Sequence, residues 1–90
     1  MIAELRDKLY SVFSSRRGDY LTTFNNPVGE RVLADLAEFC RARETTFHEN
    51  ERAHALLEGR REVWLRINKY LNLTDGDIQR MIEAKKGADG

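Results

Sequence analysis

Residues 55–68 read ALLEGRREVWLRIN, a stretch that carries a helical apolar period together with residues that interrupt it. Leu56, Leu57, Val63, Trp64 and Ile67 recur at helical spacing, which predicts one continuous helix. Extended outward, the pattern runs from about residue 51 to 72, roughly six turns. Ala53, Leu56, Leu57, Val63, Trp64, Ile67, Tyr70 and Leu71 form its broad apolar face. Leu65 lies off that face, so a second neighbour is expected there.

Four residues inside the stretch resist this pattern. Gly59 costs a helix interior about 1 kcal/mol relative to alanine. On a wheel of about 100° per residue, Arg60 falls in the middle of the apolar sector. Arg61 falls near its edge, and Glu58 points away. A buried guanidinium without a partner is far too costly, so Arg60 needs one. The expected arrangement is a bridge to Asp35 on the preceding helix, or a cap on carbonyls at a helix end. The alternative is contact of Arg60 or Arg61 with a second chain or a phosphate. Gly59 is expected to let a helix or an aromatic ring lie close to the backbone, with Tyr20, Phe24 and Phe47 available. A hinge is the alternative.

The other elements follow from boundary signals. A first helix is expected over about 2–15, with Ile2, Leu5, Leu9, Val12 and Phe13 on one stripe. Arg16-Arg17-Gly18-Asp19 reads as its basic end and glycine stop. Tyr20 to Phe24 reads as one short turn or an ordered loop. Asn26 then suits an N-cap and Pro27 the first helical position, which opens a helix over about 27–43. Val28, Val32, Leu36 and Phe39 line one face of it, beside Leu33 and Cys40. Residues 43–50 form a polar connector. Thr74 and Asp77 have capping-box spacing, and Leu73 and Ile78 occupy the staple positions. The last helix is expected to reach about Lys86, stop at Gly87 and leave 87–90 as a flexible tail. No alternating strand pattern and no repeat is present. The fold class is therefore all-α: a small bundle of three to four helices around a long central helix, one domain over 1–86.

Bulk composition narrows the function. The chain has 90 residues, is 41% hydrophobic and 33% charged, and balances 15 basic against 15 acidic side chains. That is too apolar for disorder and too charged for a membrane protein. A dedicated DNA-binding domain shows a basic excess that this chain lacks overall. MIAELRDKLY carries charges within its apolar stretch and does not read as a secretory leader. A lone cysteine, Cys40, excludes an intrachain disulfide framework and fits a reducing compartment.

The chemical candidates are weak. His48 and His54 with Cys40 and Glu44 match no usual zinc spacing, so no metal is expected. Glu49/Glu51 and Asp75/Asp77 read as helix-start charges and capping rather than catalytic pairs. Phosphate loops and hydrolase motifs are missing, and no cofactor is implied. Arg17-Gly18-Asp19 matches an integrin triplet by letter only. Trp64 amid Arg60, Arg61, Arg66 and Lys69 has the look of a basic–aromatic patch. The expected role of Trp64 is nonetheless in the core, because Glu58 and Glu62 dilute the charge.

Two longer segments carry a family resemblance. Pro27-Val28-Gly29-Glu30-Arg31-Val32-Leu33-Ala34-Asp35-Leu36 with Phe39-Cys40, then Phe47, then Glu58-Gly59-Arg60-Arg61-Glu62-Val63-Trp64-Leu65-Arg66-Ile67 occur in that order. This arrangement resembles a family of short helical proteins of tailed bacteriophages, especially short-tailed ones, over roughly residues 20–73. The resemblance implies genes in the structural module near portal and capsid genes, and a virion or virion-assembly role. It brings no catalytic residues.

The combined expectation is a non-enzymatic phage protein acting through protein–protein contacts. It would serve as a minor virion component or an assembly or connector-associated factor. The partner would be another copy of itself, giving a homo-oligomer, or a phage structural protein. The location would be the host cytoplasm during infection or the virion, without a membrane. The residues expected to fix the contact geometry are Asp35, Glu58, Gly59, Arg60, Arg61 and Trp64. The rival readings are a small inhibitor or adaptor of a host protein, a nucleic-acid-binding module, and an enzyme.

Overall fold

The computed structural model describes residues 15–89. Four helices follow in order: α1 (Arg16–Phe24), α2 (Pro27–Phe39), α3 (Glu51–Leu71) and α4 (Asp75–Asp89). No strand occurs among the described residues. The all-α bundle expected from the sequence is therefore what the chain forms. The helix expected over 2–15 lies outside the described residues except at its last position.

That position, Ser15, begins a helix instead of ending one. Its Oγ accepts from the Gly18 N–H at 2.9 Å, and Asp19 sits in the first turn. Both are N-terminal signals. The Arg16-Arg17-Gly18-Asp19 stretch is thus the opening of a nine-residue helix, not a stop. Arg17-Gly18-Asp19 is helical and not a displayed loop.

Asn26 closes α1 and opens α2 with one side chain. Its Oδ1 accepts from the Gly29 N–H at 2.8 Å, and its Nδ2 donates to the Thr22 and Thr23 carbonyls at 3.1 and 3.0 Å. The turn is so tight that a Cβ placed on Gly29 would lie 2.2 Å from the Thr23 carbonyl oxygen and 2.7 Å from Phe24 Cα. Gly29 is buried, and the first turn of α2 rests directly on the last turn of α1.

α2 ends at Phe39, four residues earlier than expected. Arg41 adopts a left-handed φ of 54°. The Ala42 N–H reaches the Ala37 carbonyl at 2.9 Å and the Arg41 N–H reaches the Glu38 carbonyl at 3.1 Å. This is the Schellman pair of helix-end bonds, with arginine in the place glycine usually takes. Ala37 and Ala42 both enter the core, which supplies the apolar contact of that motif.

α3 starts on Asn50, whose Oδ1 accepts from the Ala53 N–H at 3.1 Å. It ends on Asn72 in the left-handed region, which asparagine tolerates well. The Asn68 side chain then pins Leu73 through bonds of 2.6 and 3.3 Å. The capping box of α4 forms as its spacing predicts. Thr74 N–H donates to Asp77 Oδ2 at 2.9 Å and Asp77 N–H to Thr74 Oγ1 at 3.1 Å. The Thr74 bonds hold the Asp77 carboxyl below its usual range, aided by Arg80. α4 continues through Gly87 to Asp89, so Gly87 does not stop it.

The core is built from Leu33, Ala37, Cys40, Ala42, Trp64, Ile67 and Ile78. Tyr20, Phe24, Leu36, Leu71, Leu73, Met81 and Ile82 close around it. α3 is the longest helix, as expected, but the helix that packs against all three others is α2. Its alanines at 34 and 37 are almost fully buried, which lets a neighbour approach closely. α4 is the helix that packs most extensively against α2, and α1 lies in the angle between α2 and α3.

Candidate functional site

The six residues singled out by sequence do not form one site. They separate into a connector clamp, a core residue and an outward face.

Glu58 and Arg61 hold the connector. Arg61 Nη1 donates to the Arg41 carbonyl at 2.9 Å and the Glu44 carbonyl at 3.0 Å. It is Arg61, not Arg60, that caps carbonyls beyond a helix end, and it does so beside the left-handed Arg41. Glu58 accepts from the buried Thr46 hydroxyl, and the Thr46 carbonyl meets His54 Nδ1 at 3.1 Å. His48 Nδ1 accepts from the Asn50 N–H at 3.0 Å. Both histidines thus serve local structure. Among the described residues, no group of three or more histidine, cysteine or acidic side chains is placed to hold a metal.

Trp64 is the largest fully buried side chain. Burial pushes the neighbouring Cys40 thiol up, against the opposing effects of a Trp64 backbone hydrogen bond and of Arg60. A buried thiol with a raised pKa is a poor nucleophile, and Cys40 packs in the core with Leu33 as expected.

Gly59 departs from the expectation of close packing. It is exposed, and a Cβ built there would meet nothing within 4 Å. Among the described residues no ring or helix lies against it, and its φ is not in the left-handed region. Gly59→Ala should therefore stabilise the chain by about 0.5–1 kcal/mol, because alanine loses less backbone entropy in a helix. Thermal melting should show the midpoint rising by about 4 °C.

The Arg60–Asp35 bridge does not form. Asp35 Oδ1 lies 3.8 Å from Lys85 Nζ, and the same Lys85 reaches Glu38 Oε1 at 3.6 Å. Arg60 instead places its guanidinium carbon 4.3 Å from the ring centre of Phe39. No carboxylate lies within salt-bridge distance of Arg60 among the described residues. An arginine over a half-exposed ring contributes about 0.5–1 kcal/mol. A part-buried guanidinium bonded to two carbonyls contributes more, about 1.5–3 kcal/mol. Urea unfolding should thus show Arg61→Met costing clearly more than Arg60→Met. Equal losses would contradict these assignments.

Around Arg60 the surface is apolar and open. Val28, Val32 and Phe39 on α2 are 61%, 49% and 56% exposed, and Leu56 and Val63 on α3 are 56% and 53% exposed. Phe39 and Arg60 join the two helix faces. Val63 continues into a groove lined by Tyr20, Thr23, Phe24, Arg66 and Ile67. Leu65 is also exposed but lies away from this face, and no neighbour within the described residues covers it. Five large apolar side chains on adjoining faces form a patch instead of standing singly, and such patches often mark contact sites.

A second feature is basic. Arg16 Nη1 donates to Tyr70 Oη at 3.4 Å and Arg17 Nε to the Tyr70 carbonyl at 3.4 Å. Lys69 stands 5.5 Å over the same ring, and Tyr20 stacks on Tyr70 at 4.6 Å. The Arg16 hydrogen bond, with nearby Lys69 and Arg66, lowers the Tyr70 hydroxyl pKa. The cations grouped by sequence as Arg60, Arg61, Arg66 and Lys69 are thus regrouped. Arg60 and Arg61 leave, and Arg16 and Arg17 join.

The sequence model of the Bbp19-like phage protein family matches residues 11–83. That is most of the chain and all of the core and the apolar face, and the chain belongs to this family. No curated protein and no solved structure matches it. No helix among the described residues is long and apolar enough to cross a membrane.

Proposed function

We propose that this phage protein acts through protein–protein contacts in virion assembly, as a minor virion component or a connector-associated factor, and not as an enzyme. The observation that carries the reading is the apolar face of α2 and α3. Val28, Val32, Phe39, Leu56 and Val63 stay largely exposed there while smaller residues are buried. Keeping such side chains in water is unfavourable by roughly 25 cal/mol for each Å² of apolar surface, and covering them on association recovers that free energy. The resemblance of the 27–40 and 58–67 segments to proteins of phage structural modules points the same way.

The titrating groups with displaced pKa values fit this reading. Asp77 belongs to a helix cap, Arg16 and Tyr70 to one surface cation cluster and Cys40 to the core. Each displacement has a structural cause, and the four groups do not converge on one cleft. During infection the protein would work in the host cytoplasm and reach the particle with its partner. The rival reading, an inhibitor or adaptor of a host protein, would use the same face but leave no copy in the virion.

The test is complementation of a phage lacking the gene. Val32→Lys and Val63→Lys alter only the outward face, so the variants should melt like the wild type. They should nevertheless reduce the yield of filled particles, and mass spectrometry should find the wild-type protein in purified particles. Normal particle yield with both lysine variants would overturn the reading. Absence from the particle together with a normal assembly pathway would favour the host-directed alternative.

A further inference from the structure

The spacing of the residues on the open face says what covers it. On α2 the outward residues are Val28, Val32, Asp35 and Phe39, in steps of four, three and four. On α3 they are Leu56, Arg60 and Val63, in steps of four and three. Steps of four and three keep a stripe on one side of a helix and are the pattern by which helices pack on one another. Ile67 is where the second stripe passes under α1 and becomes buried. Each stripe is apolar except for one charge. The α2 stripe carries an acid, Asp35, and the α3 stripe carries a base, Arg60.

Within one chain these two charges do not meet. Asp35 is 69% exposed and faces Lys85 from 3.8 Å, the long end of ion-pair range. Among the described residues, Arg60 has the Phe39 ring and no carboxylate. Any protein that covers the face must meet both charges, since an arginine desolvated without a carboxylate is strongly unfavourable. The face itself carries one charge of each sign, Asp35 on α2 and Arg60 on α3. A surface complementary to itself is what a two-fold interface requires, because residue i then meets j while j meets i.

We infer that the face is covered by a second copy of this chain, in a two-fold dimer where Arg60 of each copy meets Asp35 of the other. This deepens the contact reading above and rests on it. Phe39 lies beside both charges and packs near the dimer axis. The α2 stripe is about 16 Å long and the open part of the α3 stripe about 10 Å, on helices about 10 Å apart, giving a patch on the order of 300 Å² in projection. That is small against a standard interface, so a weak dimer is expected, populated toward the upper end of the concentrations tested.

The test is sedimentation equilibrium of the full chain from about 1 µM to 1 mM, at low and high salt, with Asp35→Arg, Arg60→Asp and the double exchange. The wild type should dimerise. Each single reversal should weaken the dimer at least about tenfold by setting like charges against each other, and the double exchange should restore most of the loss. Far-UV circular dichroism should show all four proteins equally folded, since both side chains lie at the surface. Val63→Lys, which touches neither charge, should also weaken the dimer. A wild-type chain that stays monomeric at 1 mM overturns the inference; this result is expected if residues 1–14 or another phage protein occupies the face. A dimer that ignores the reversals, or a double exchange no better than the singles, overturns the two-fold pairing. A monomer whose Val63→Lys variant still fails in particle assembly removes only the second copy and leaves the contact reading in place.

Discussion

Gly29→Ala is expected to destabilise the chain by about 3 kcal/mol or more, near the upper end for adding a methyl group to a packed site. The added carbon would lie 2.2 Å from the Thr23 carbonyl oxygen and 2.7 Å from Phe24 Cα. Both obstacles are backbone. A flexible side chain could swing aside, whereas these atoms move only if α1 moves. The Asn26 bonds tie the same turn from the other side, so relief would break the caps of two helices. Displacing α1 would also part Tyr20 from Tyr70 and uncover Ile67. Urea unfolding of Gly29→Ala beside Gly59→Ala gives the measurement its own control, because the same exchange should raise stability at one site and collapse it at the other. A Gly29→Ala chain that unfolds within about 0.5 kcal/mol of the wild type would show that α1 and α2 are not packed this closely.

Trp64→Ala carries the second large effect, a loss of about 4 kcal/mol. Trp64 is the largest fully buried side chain and lies among Leu33, Cys40 and Ile67 in the core. Truncation removes its transfer free energy and leaves a cavity that three surrounding helices cannot all close. Small domains sit at the low end of the 5–15 kcal/mol usual for folded proteins. The variant should thus be largely unfolded at 25 °C, with far-UV circular dichroism showing a fraction of the wild-type helix signal. Trp64→Phe keeps most of the volume and should lose markedly less. If Trp64→Ala kept a cooperative melt near the wild-type midpoint, the core would lie elsewhere.

The two predictions also show which parts of the fold are legible in the sequence. Signals confined to a few consecutive residues read correctly. Thr74 and Asp77 form their capping box, Asn26 and Pro27 open a helix, and the apolar periodicity of α3 gives a helix within one residue of its observed end. Misreadings occur where a local signal has two meanings. Arg16-Arg17-Gly18 looks like a basic helix end, yet Ser15 ahead of it and Asp19 within it make it a beginning. The end of α2 is hidden because arginine at 41 fills a left-handed position that normally announces itself by glycine.

The glycines show the limit most clearly. Gly59 stands out in the sequence because it interrupts a long helix, but no described residue packs on it. Gly29, in the first turn of a shorter helix, draws no notice and is the glycine the fold requires. A glycine's space depends on what crosses it, and a crossing is a tertiary fact with no local trace. The same holds for the arginines. Sequence position marks Arg60 as an anomaly in an apolar sector, which is correct. That its neighbour Arg61 takes the inward carbonyls, leaving Arg60 on an open ring, depends on where residues 41–44 return to α3.

Contact between two copies of this chain across the open face of α2 and α3 can be read at a single residue. A photo-reactive phenylalanine analogue at position 39 tests it most directly, since Phe39 is exposed and adjoins both charges. Irradiation of the full chain near 100 µM, followed by peptide mapping, identifies what touches that residue. Intermolecular links into residues 28–39 and 56–63 of a second copy, lost in Arg60→Asp, are the expected result. Links confined to the same chain, or links that persist unchanged in Arg60→Asp, would rule out this pairing of copies.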